Sequence, residues 1–265
     1  MRCKTVKRQA WAHSAEHSGA DPVIPASNLL IDSLPRRERT NLLSVCEPVA
    51  LRTHSVLCEA GRRSGAAYFP TDGAISLVVA VAGDVDVEVA LIGSEGMLGA
   101  HWALGIAEAP LRAVVRHPGS AWRVSSAALR AALTRGTALP RCCRRYLWLQ
   151  MGQLATAVAC ERRHTIGARL ARLLLMLCDR SAGAPLHVTH AALAQTLGVR
   201  RVGITMAAGE LSRLGLIRCG RGELLVLDRP GLERAACSCY ASDRRAQAQW
   251  MPAVRAVAGA SAATR

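Results

Sequence analysis

Five arginines stand close together in the carboxyl-terminal part of the chain, at Arg200, Arg201, Arg213, Arg218 and Arg221. A guanidinium group can donate two parallel hydrogen bonds to O6 and N7 of guanine, or it can pair with a backbone phosphate. Five arginines in so short a segment indicate contact with a nucleic acid. Whether each arginine reads a base, binds a phosphate or is a solvated surface charge depends on the elements that hold it.

The residues around the first two arginines have the spacing of a helix-turn-helix. Ala194 is small where a second helix would cross, Gly198 suits a turn that needs a positive φ, and Ile204 buries the second helix against the first. Further apolar residues continue this seam at helical spacing: Leu193, Leu197, Val199, Ala207, Ala208, Leu211 and Leu214. The pattern predicts a DNA-binding motif whose second helix, 200–214, enters the major groove. The alternative is an ordinary helical hairpin.

If Ile204 faces inward, the opposite side of the second helix can meet base edges. That side consists of Val202, Thr205, Met206, Gly209 and Arg213, with Arg200 and Arg201 at its amino-terminal tip. Thr189 precedes the first helix and is expected to cap it and to hold a phosphate. A Gly-x-Gly turn between two short apolar runs predicts a β-hairpin wing, in which Arg218 and Arg221 contact the DNA backbone.

The middle of the chain consists of short apolar runs broken by Gly, Pro and Asp. The predicted strands are 49–52, 66–69, 74–81, 85–92, 111–117 and 121–124. Regular short strands with tight turns predict a jelly roll or a β-barrel. A helix capped by Ser33 or its neighbour, with Pro35 in its first turn, is expected before them and should run to about Cys46. A helix capped by Ser125-Ser126 and ending near Arg135 is expected after them.

A long helix is predicted over 139–162, and a strongly apolar helix over 165–178. An apolar stripe on the long helix consists of Leu147, Met151, Leu154 and Val158, at spacings of four, three and four. The stripe either packs on the barrel or forms the seam of a two-stranded coiled coil. We expect the coiled coil, which makes the protein a homodimer.

The composition is consistent with a basic, two-domain protein. The chain has 265 residues, half of them hydrophobic, and its formal net charge of +15 favours a polyanionic partner. It has neither a run of about 18 apolar residues nor a secretory signal, so we expect a cytoplasmic protein with no membrane partner. Ten cysteines without a C-x-x-C pair predict reduced core residues, no metal ion and no cofactor.

The order of helix, β-roll, long helix and winged helix-turn-helix resembles the cyclic-AMP receptor protein/fumarate–nitrate regulator (Crp/Fnr) family of bacterial transcription factors. The resemblance covers about 28–240, and its most specific stretches are 68–73, 92–99 and the helix-turn-helix. It implies an α+β chain in which a cyclic-nucleotide-binding-like β-roll (jelly roll) senses a small molecule. It also implies that a long helix forms the homodimer and that two winged helix-turn-helix domains read a palindrome in double-stranded DNA. RNA polymerase is a further implied partner.

The resemblance divides the chain into five segments. These are a disordered arm over 1–27, an effector domain over 28–138, a dimerisation helix over 139–162, a Crp-type winged helix-turn-helix domain over 163–235 and a disordered tail over 241–265. The family reads DNA with an Arg-Glu pair at the helix tip and a second Arg near the middle. Here only Arg201 matches, because Val202 and Met206 replace the other two, so methyl contacts to thymine are expected instead.

The resemblance also locates candidate effector-pocket residues at Gly99, Ala100 and Arg112. Relatives that bind cyclic nucleotides use a Gly-Glu pair for the ribose and an Arg-Ser or Arg-Thr pair, followed by Ala, for the phosphate. Here Ala100 takes the place of the Glu, and Arg112 directly precedes Ala113, so this arginine would face the other side of its strand. We therefore expect an unknown small-molecule effector and not cyclic AMP. Glu95 precedes the turn and is expected to be a loop carboxylate.

Two other functions are weighed against a DNA-binding regulator. A jelly-roll metal enzyme needs two histidines one residue apart and a carboxylate, but the chain contains no His-x-His and no convincing nucleophile set or P-loop, so no enzymatic activity is expected. A thiol-based redox switch on the same DNA-binding fold would use Cys142, Cys143 and Cys160 of the long helix.

Overall fold

The computed structural model describes residues 27–80, 87–181 and 185–251. All but the last residue of the predicted disordered arm, 1–27, lies outside the described residues, as do 252–265 of the predicted tail. Within the described ranges, no helix combines the length and the apolar character needed to cross a membrane.

Two antiparallel sheets form the amino-terminal domain. Their strands are β1 (Cys46–Leu51), β2 (Val56–Cys58), β3 (Ala66–Pro70), β4 (Ala74–Val79), β5 (Val87–Ile92), β6 (Arg112–His117) and β7 (Gly119–Ser125). One sheet has the order β1-β7-β3 and the other the order β2-β6-β4-β5. Both contribute to one apolar core, in which Leu51 and Ala121 meet Ile75, Ile92 and Val115. The predicted fold, a β-roll of short strands, is confirmed.

The differences from the predicted elements are at short segments. Strand β2 was not among the predicted strands, because three residues are too few to show alternation. The predicted helix is α2 (Arg36–Leu43), which ends before Cys46 because Cys46 begins β1, and a short helix that was not predicted, α1 (Leu29–Asp32), precedes it. Asn28 caps α1 by accepting from the amides of Leu30 and Ile31, and its own amide group donates to the carbonyls of Pro70 and Gly96.

Two helices follow the β-roll, α3 (Ser126–Arg135) and α4 (Ala138–Arg163). Ser125 caps α3 as expected, because its hydroxyl accepts from the amide of Ala128 at 3.2 Å. The carboxylate of Glu38 accepts from the first amides of α4, at 3.1 Å from Ala138 and 3.0 Å from Leu139. Burial acts to raise the pKa of Glu38, but these backbone hydrogen bonds outweigh it and lower the pKa. The Glu38 carboxylate therefore stabilises the positive, amino-terminal end of α4, a helix about 39 Å long.

The carboxyl-terminal domain is a winged helix-turn-helix. Its elements are α5 (Ile166–Cys178), α6 (His190–Leu197), α7 (Arg201–Arg213), β8 (Ile217–Cys219), β9 (Leu224–Val226) and α8 (Arg229–Ala235). Leu170, Leu174, Ile204, Ala208 and Leu232 are fully buried and form the centre of its core. The predicted wing is therefore present, and so is the predicted helical seam except at Leu214, which is 53% exposed because α7 ends just before it.

The segment 241–250 is helical, which corrects the predicted disordered tail. It belongs to α9 (Ser238–Trp250), which returns along α4 towards the β-roll. The rings of Trp250 and Trp148 lie 5.0 Å apart, and Met251 is buried in the core of the amino-terminal domain. At the other end of α9, the Tyr240 hydroxyl donates to the Asp179 carboxylate at 2.9 Å. These contacts are with residues distant in the chain, so an Ala- and Arg-rich composition did not reveal them.

Candidate nucleic-acid interface

The turn of the helix-turn-helix is built as its residue types require. The Thr189 hydroxyl accepts from the amide of Ala192 at 3.1 Å and so caps α6. Gly198 ends α6 in the left-handed region, with φ of 62°. The amide of Val199 then donates to the carbonyl of Ala194 at 3.0 Å. The backbone reverses here within three residues, and this places the start of α7 at the molecular surface.

Helix α7 is sharply two-sided. Ile204 is fully buried, and Ala207, Ala208 and Leu211 are also buried. On the other side Val202 is 63% exposed and Met206 72%. These exposed apolar side chains lie on the same side of α7 as Arg201 and Arg213 and are free to contact a partner. The outward positions are thus the ones that the sequence pattern predicted, and their DNA-binding roles stay predictions.

The Thr205 hydroxyl makes contacts within the protein that the sequence did not indicate. Its hydroxyl donates to the carbonyl of Arg201 at 3.1 Å and lies 3.1 Å from Nδ1 of His190. Since a hydroxyl has one proton to donate, Thr205 retains mainly accepting capacity for a base edge. His190, at the start of α6, was not among the predicted site residues, and it lies next to the exposed side of α7.

The wing carries positive charge beside α7. Strands β8 and β9 pair antiparallel, and Gly222 in their turn has φ of 81°. Leu186 adds a bridge to Leu224, which ties the wing to the start of the motif. Arg218 and Arg221 are both exposed.

All five arginines of this surface are exposed: Arg200, Arg201, Arg213, Arg218 and Arg221. Among the described residues, the ion pairs within 4.0 Å involve other arginines, such as Arg229 with Asp179 and Arg123 with Glu47. Within the described ranges, none of these five arginines forms an ion pair within 4.0 Å, although Glu210 of α7 and Glu223 of the wing are exposed on the same elements. Arginines in this state can meet phosphates without first breaking a salt bridge.

The candidate effector pocket lies in the β-roll and is small and largely apolar. Gly99 has φ of 102°, and a Cβ there would lie 2.7 Å from the Cβ of Ala67, so only glycine fits. Ala100 is buried at the start of a short 3-10 helix (Ala100–Leu104). The adjoining cavity has a volume of about 40 Å³ and is lined by Leu77, Ile92, Met97, Leu98, Gly99, Ala100, His101, Ala109, Pro110, Leu111, Leu147 and Gln150.

Arg112 does not line this cavity. Its Nε lies 3.2 Å from the carboxylate of Glu59, and burial alternates along β6 so that Ala113 and Val115 point inward while Arg112 is half-buried. The structure therefore separates the three predicted pocket residues, because Gly99 and Ala100 line the cavity and Arg112 does not. Leu111 lies at the cavity instead.

A buried ion pair joins the β-roll to the DNA-binding domain. Arg180, just after α5, donates from Nε and Nη2 to one carboxylate oxygen of Glu95, at 3.0 and 2.5 Å. The amide of Gly93 donates to the same oxygen at 3.1 Å. Glu95 is thus a loop carboxylate, as expected, and the structure adds that it is buried. A buried charge of this kind requires its partner, since an unpaired one would be strongly destabilising.

A second contact reaches the helix-turn-helix itself. Arg116 of β6 donates to the carbonyl of Ala192 at 3.0 Å and to the Thr196 hydroxyl at 2.7 Å, both in α6. Glu88, 3.7 Å from the Arg116 guanidinium, accepts from the Ser76 hydroxyl at 2.5 Å. No local sequence pattern marks Arg116 or Arg180, because both depend on the packing of one domain against the other.

The predicted dimer stripe on α4 is partly covered by the chain itself. Met151 is 62% exposed and Val158 55%, whereas Leu147 and Leu154 are half-buried beside the β-roll and the groove under β5. Trp148, which the sequence prediction did not include, is 51% exposed. The apolar surface that α4 leaves uncovered therefore lies around Trp148, Met151 and Val158.

The cysteines proposed for a redox switch do not lie together. Cys143 and Cys160 are separated by about 26 Å along α4. Burial raises the pKa of the Cys143 thiol to about 12, so it is protonated and unreactive near neutral pH. Cys142 lies 3.5 Å from the Ser33 hydroxyl, and Cys160 contacts Cys237 with its sulfur 3.5 Å away. In this conformation Cys160 is too far from Cys142 and Cys143 to form a disulfide with either.

Residues 168–235 match the family described as the Crp-like helix-turn-helix domain. No curated protein sequence matches the chain. The fold is similar to that of FixK2 from Bradyrhizobium japonicum, with a TM-score of 0.61 and 16% identity over 73% of this chain and 98% of that one.

Two further solved structures agree with this likeness. The c-di-GMP responsive global regulator CLP of Xanthomonas campestris has a TM-score of 0.56 and 16% identity over 72% of this chain and 99% of that one. A Crp/Fnr family transcriptional regulator of Thermus thermophilus has a TM-score of 0.53 and 22% identity over 72% of this chain and 98% of that one. At these identities the likeness establishes the fold.

Proposed function

For a chain with the fold of the Crp/Fnr regulators and a Crp-like helix-turn-helix domain, we propose the function of a homodimeric, sequence-specific transcription regulator. Two α7 helices, one from each copy, read the halves of a palindromic operator in double-stranded DNA. The observation that carries this proposal is the surface of α7 and the wing, where exposed Val202 and Met206 stand among five exposed arginines that form no ion pair within the described residues.

Each part of this surface has a different task in the proposal. Arg201 lies at the tip of α7, where a guanidinium can reach a guanine edge, with Arg200 and Arg213 beside it. Val202 and Met206 contact thymine methyl groups, and Thr205 offers an acceptor. Arg218, Arg221 and the capped amino terminus of α6 at Thr189 hold phosphates, which set the position without specifying sequence.

We further propose that the homodimer forms through α4. The exposed positions Trp148, Met151 and Val158 support this, because a monomer would leave them in water. Leu147 and Leu154 flank this surface and are half-buried within the chain. A cytoplasmic location and a contact with RNA polymerase follow from the role of a transcription regulator.

The effector in this proposal is a small molecule other than a cyclic nucleotide. The cavity beside Gly99 and Ala100, at about 40 Å³, has room for a few water molecules and not for a nucleotide. Leu111 lines it where a phosphate would need a charged group, and Arg112 pairs with Glu59. A signal from the β-roll can reach α6 through Arg116 and α5 through Arg180.

The proposal is tested by selecting bound duplexes from a randomised DNA library with the full-length protein. We expect a palindromic consensus bound by two chains per duplex, unchanged in affinity by added cyclic AMP. Met151→Asp places a charge in the proposed seam and should give a monomer in light scattering that no longer selects the palindrome. Val45→Asp, at a position 48% exposed on the β-roll, is the matched control and should remain dimeric.

Recovery of random duplexes would refute sequence-specific binding. A dimeric Met151→Asp protein that still selects the palindrome would place the interface elsewhere. Tighter DNA binding with cyclic AMP would refute the effector assignment.

A further inference from the structure

Four potential metal ligands meet where the long helix ends. Cys160 is in the last turn of α4, and His164 is the residue that caps its carboxyl end. Cys237 precedes α9 and Cys239 lies in its first turn. The ligand atoms of these four side chains all lie within 4.8 Å of one another.

The distances in this group suit a single tetrahedral ion. The sulfurs of Cys160 and Cys237 are 3.5 Å apart, and the sulfur of Cys239 is 3.7 Å from Nδ1 of His164. In a tetrahedral zinc site with Zn–S bonds of about 2.3 Å, two sulfurs are about 3.8 Å apart. An iron–sulfur cluster spreads its ligands around several metal atoms and requires a wider arrangement. The described geometry therefore encloses one ion.

We propose that Cys160, His164, Cys237 and Cys239 bind one zinc ion in a Cys3His site. Four protein ligands leave no open coordination position, which is the arrangement of a structural and not a catalytic zinc. Three thiolates, one neutral imidazole and Zn²⁺ carry a net charge of −1, with the thiol protons released to solvent on binding. The proposal goes beyond the DNA-binding function and differs from the expectation of no metal.

The surroundings of the site fit a negatively charged metal centre. Cys160 and Cys237 are buried, whereas His164 and Cys239 are half-buried, so an ion can enter from one side. Arg172 of α5 is close enough for its positive charge to act on Cys160 and Cys239. Its Nη2 donates to the Asp243 carboxylate at 2.7 Å, while its Nε is buried without a hydrogen-bond partner among the described residues.

The position of the site indicates the structural role that the metal would have. His164 lies between α4 and α5, which is the junction of the proposed dimer helix with the DNA-binding domain. Cys237 and Cys239 bring the start of α9 to the same point. A zinc ion there would hold the start of α9 at this junction. It would also fix the orientation of the DNA-binding domain relative to α4.

The test measures the metal directly, so it is independent of DNA binding. Full-length protein purified under reducing conditions should contain about one zinc per chain by elemental analysis. Cobalt(II) added to the metal-free protein should give the thiolate charge-transfer and visible bands of a tetrahedral site. Cys239→Ser should lose the zinc and the tetrahedral cobalt spectrum. Cys219→Ser, on the exposed wing strand β8 and outside the group, should retain both.

A chelator should lower the melting temperature of the wild type and of Cys219→Ser, but not that of Cys239→Ser. A wild-type protein that binds neither zinc nor tetrahedral cobalt would overturn the proposal, and this result does not depend on whether a variant folds. A Cys160–Cys237 disulfide that persists in intact-mass spectra under reducing conditions would also overturn it, since those sulfurs would not be free to bind metal.

Discussion

At the residue scale, the proposed DNA-reading surface offers one side chain suited to a specific base contact and several suited to weaker contacts. Arg201 is exposed at the tip of α7, and beyond it Val202 and Met206 offer only apolar surface. The Thr205 hydroxyl donates its hydrogen bond to the Arg201 carbonyl. A bidentate arginine contact discriminates strongly between bases, whereas a methyl contact mainly favours thymine. Sequence choice should therefore depend most on Arg201.

Arg201→Ala and Arg221→Ala should have different effects on DNA binding. Loss of a bidentate guanine contact by Arg201→Ala should cost about 1–3 kcal/mol and flatten one position in each half-site. Loss of a phosphate contact by Arg221→Ala should weaken all sequences alike and lower the salt slope by about one unit per contact. The two are compared by titrating a randomised operator library at two salt concentrations.

A uniform loss of affinity in Arg201→Ala, with the preferred sequence unchanged, would make Arg201 a backbone contact. Base reading would then rest on Val202, Thr205 and Met206 or on DNA shape.

At the element scale, the helix-turn-helix depends on one left-handed residue. Gly198 has φ of 62° between α6 and α7, a conformation that costs other residues about 1–2 kcal/mol. Gly209, in the middle of α7, has ordinary helical geometry, and a Cβ added there meets nothing within 4 Å. The two glycines therefore differ in what a methyl group would do.

Substitution by alanine should change stability in opposite directions at these two positions. Gly198→Ala should lower the free energy of unfolding by about 1 kcal/mol because of the left-handed φ. Gly209→Ala should raise it by about 0.5–1 kcal/mol, because alanine loses less backbone entropy in a helix. Denaturant titration of both variants without DNA measures the difference. If the two substitutions changed the free energy of unfolding by the same amount and in the same direction, the turn would not impose the left-handed conformation in solution.

At the scale of the whole molecule, the two domains meet through charged and titratable groups. Besides the Glu95–Arg180 pair, His117 at the end of β6 lies near His187 of the other domain, with the ring centroids 6.3 Å apart. Burial lowers the pKa of His117 below its ordinary value of 6.5, and the charge of His187 lowers it further. The folded protein therefore favours neutral His117.

Stability should fall as the pH drops below about 6.5. A histidine whose pKa is lowered by folding binds protons more readily in the unfolded chain. Protonation of the unfolded chain therefore lowers the stability of the fold, and this loss is absent well above pH 6.5 and grows as the pH falls towards the folded pKa. His117→Gln should lose less thermal stability than the wild type between about pH 7.5 and about pH 5. His54→Asn changes an exposed histidine and should behave like the wild type. Identical pH profiles of His117→Gln and wild type would contradict the assignment.

The features that the sequence alone determined are those set by local spacing. The helical seam around Ile204, the glycine at 198, the capping residues Ser125 and Thr189 and the outward face of α7 were all predicted correctly in position. Their physical cause is short-range, because helical periodicity, caps and turn conformations involve residues only a few positions apart. The same holds for the long helix and for the strands of the β-roll other than β2.

Only the tertiary structure decided the features that join distant segments. Glu95 and Arg180, 85 residues apart, form a buried pair. Cys160 and Cys237, 77 residues apart, bring their sulfurs into contact. A Cys-x-x-x-His step at a helix end and a Cys-x-Cys pair were visible in the sequence, but each supplies only two ligands. Their meeting depends on α9 folding back along α4, and packing between elements far apart in the chain leaves no periodic signal in the sequence.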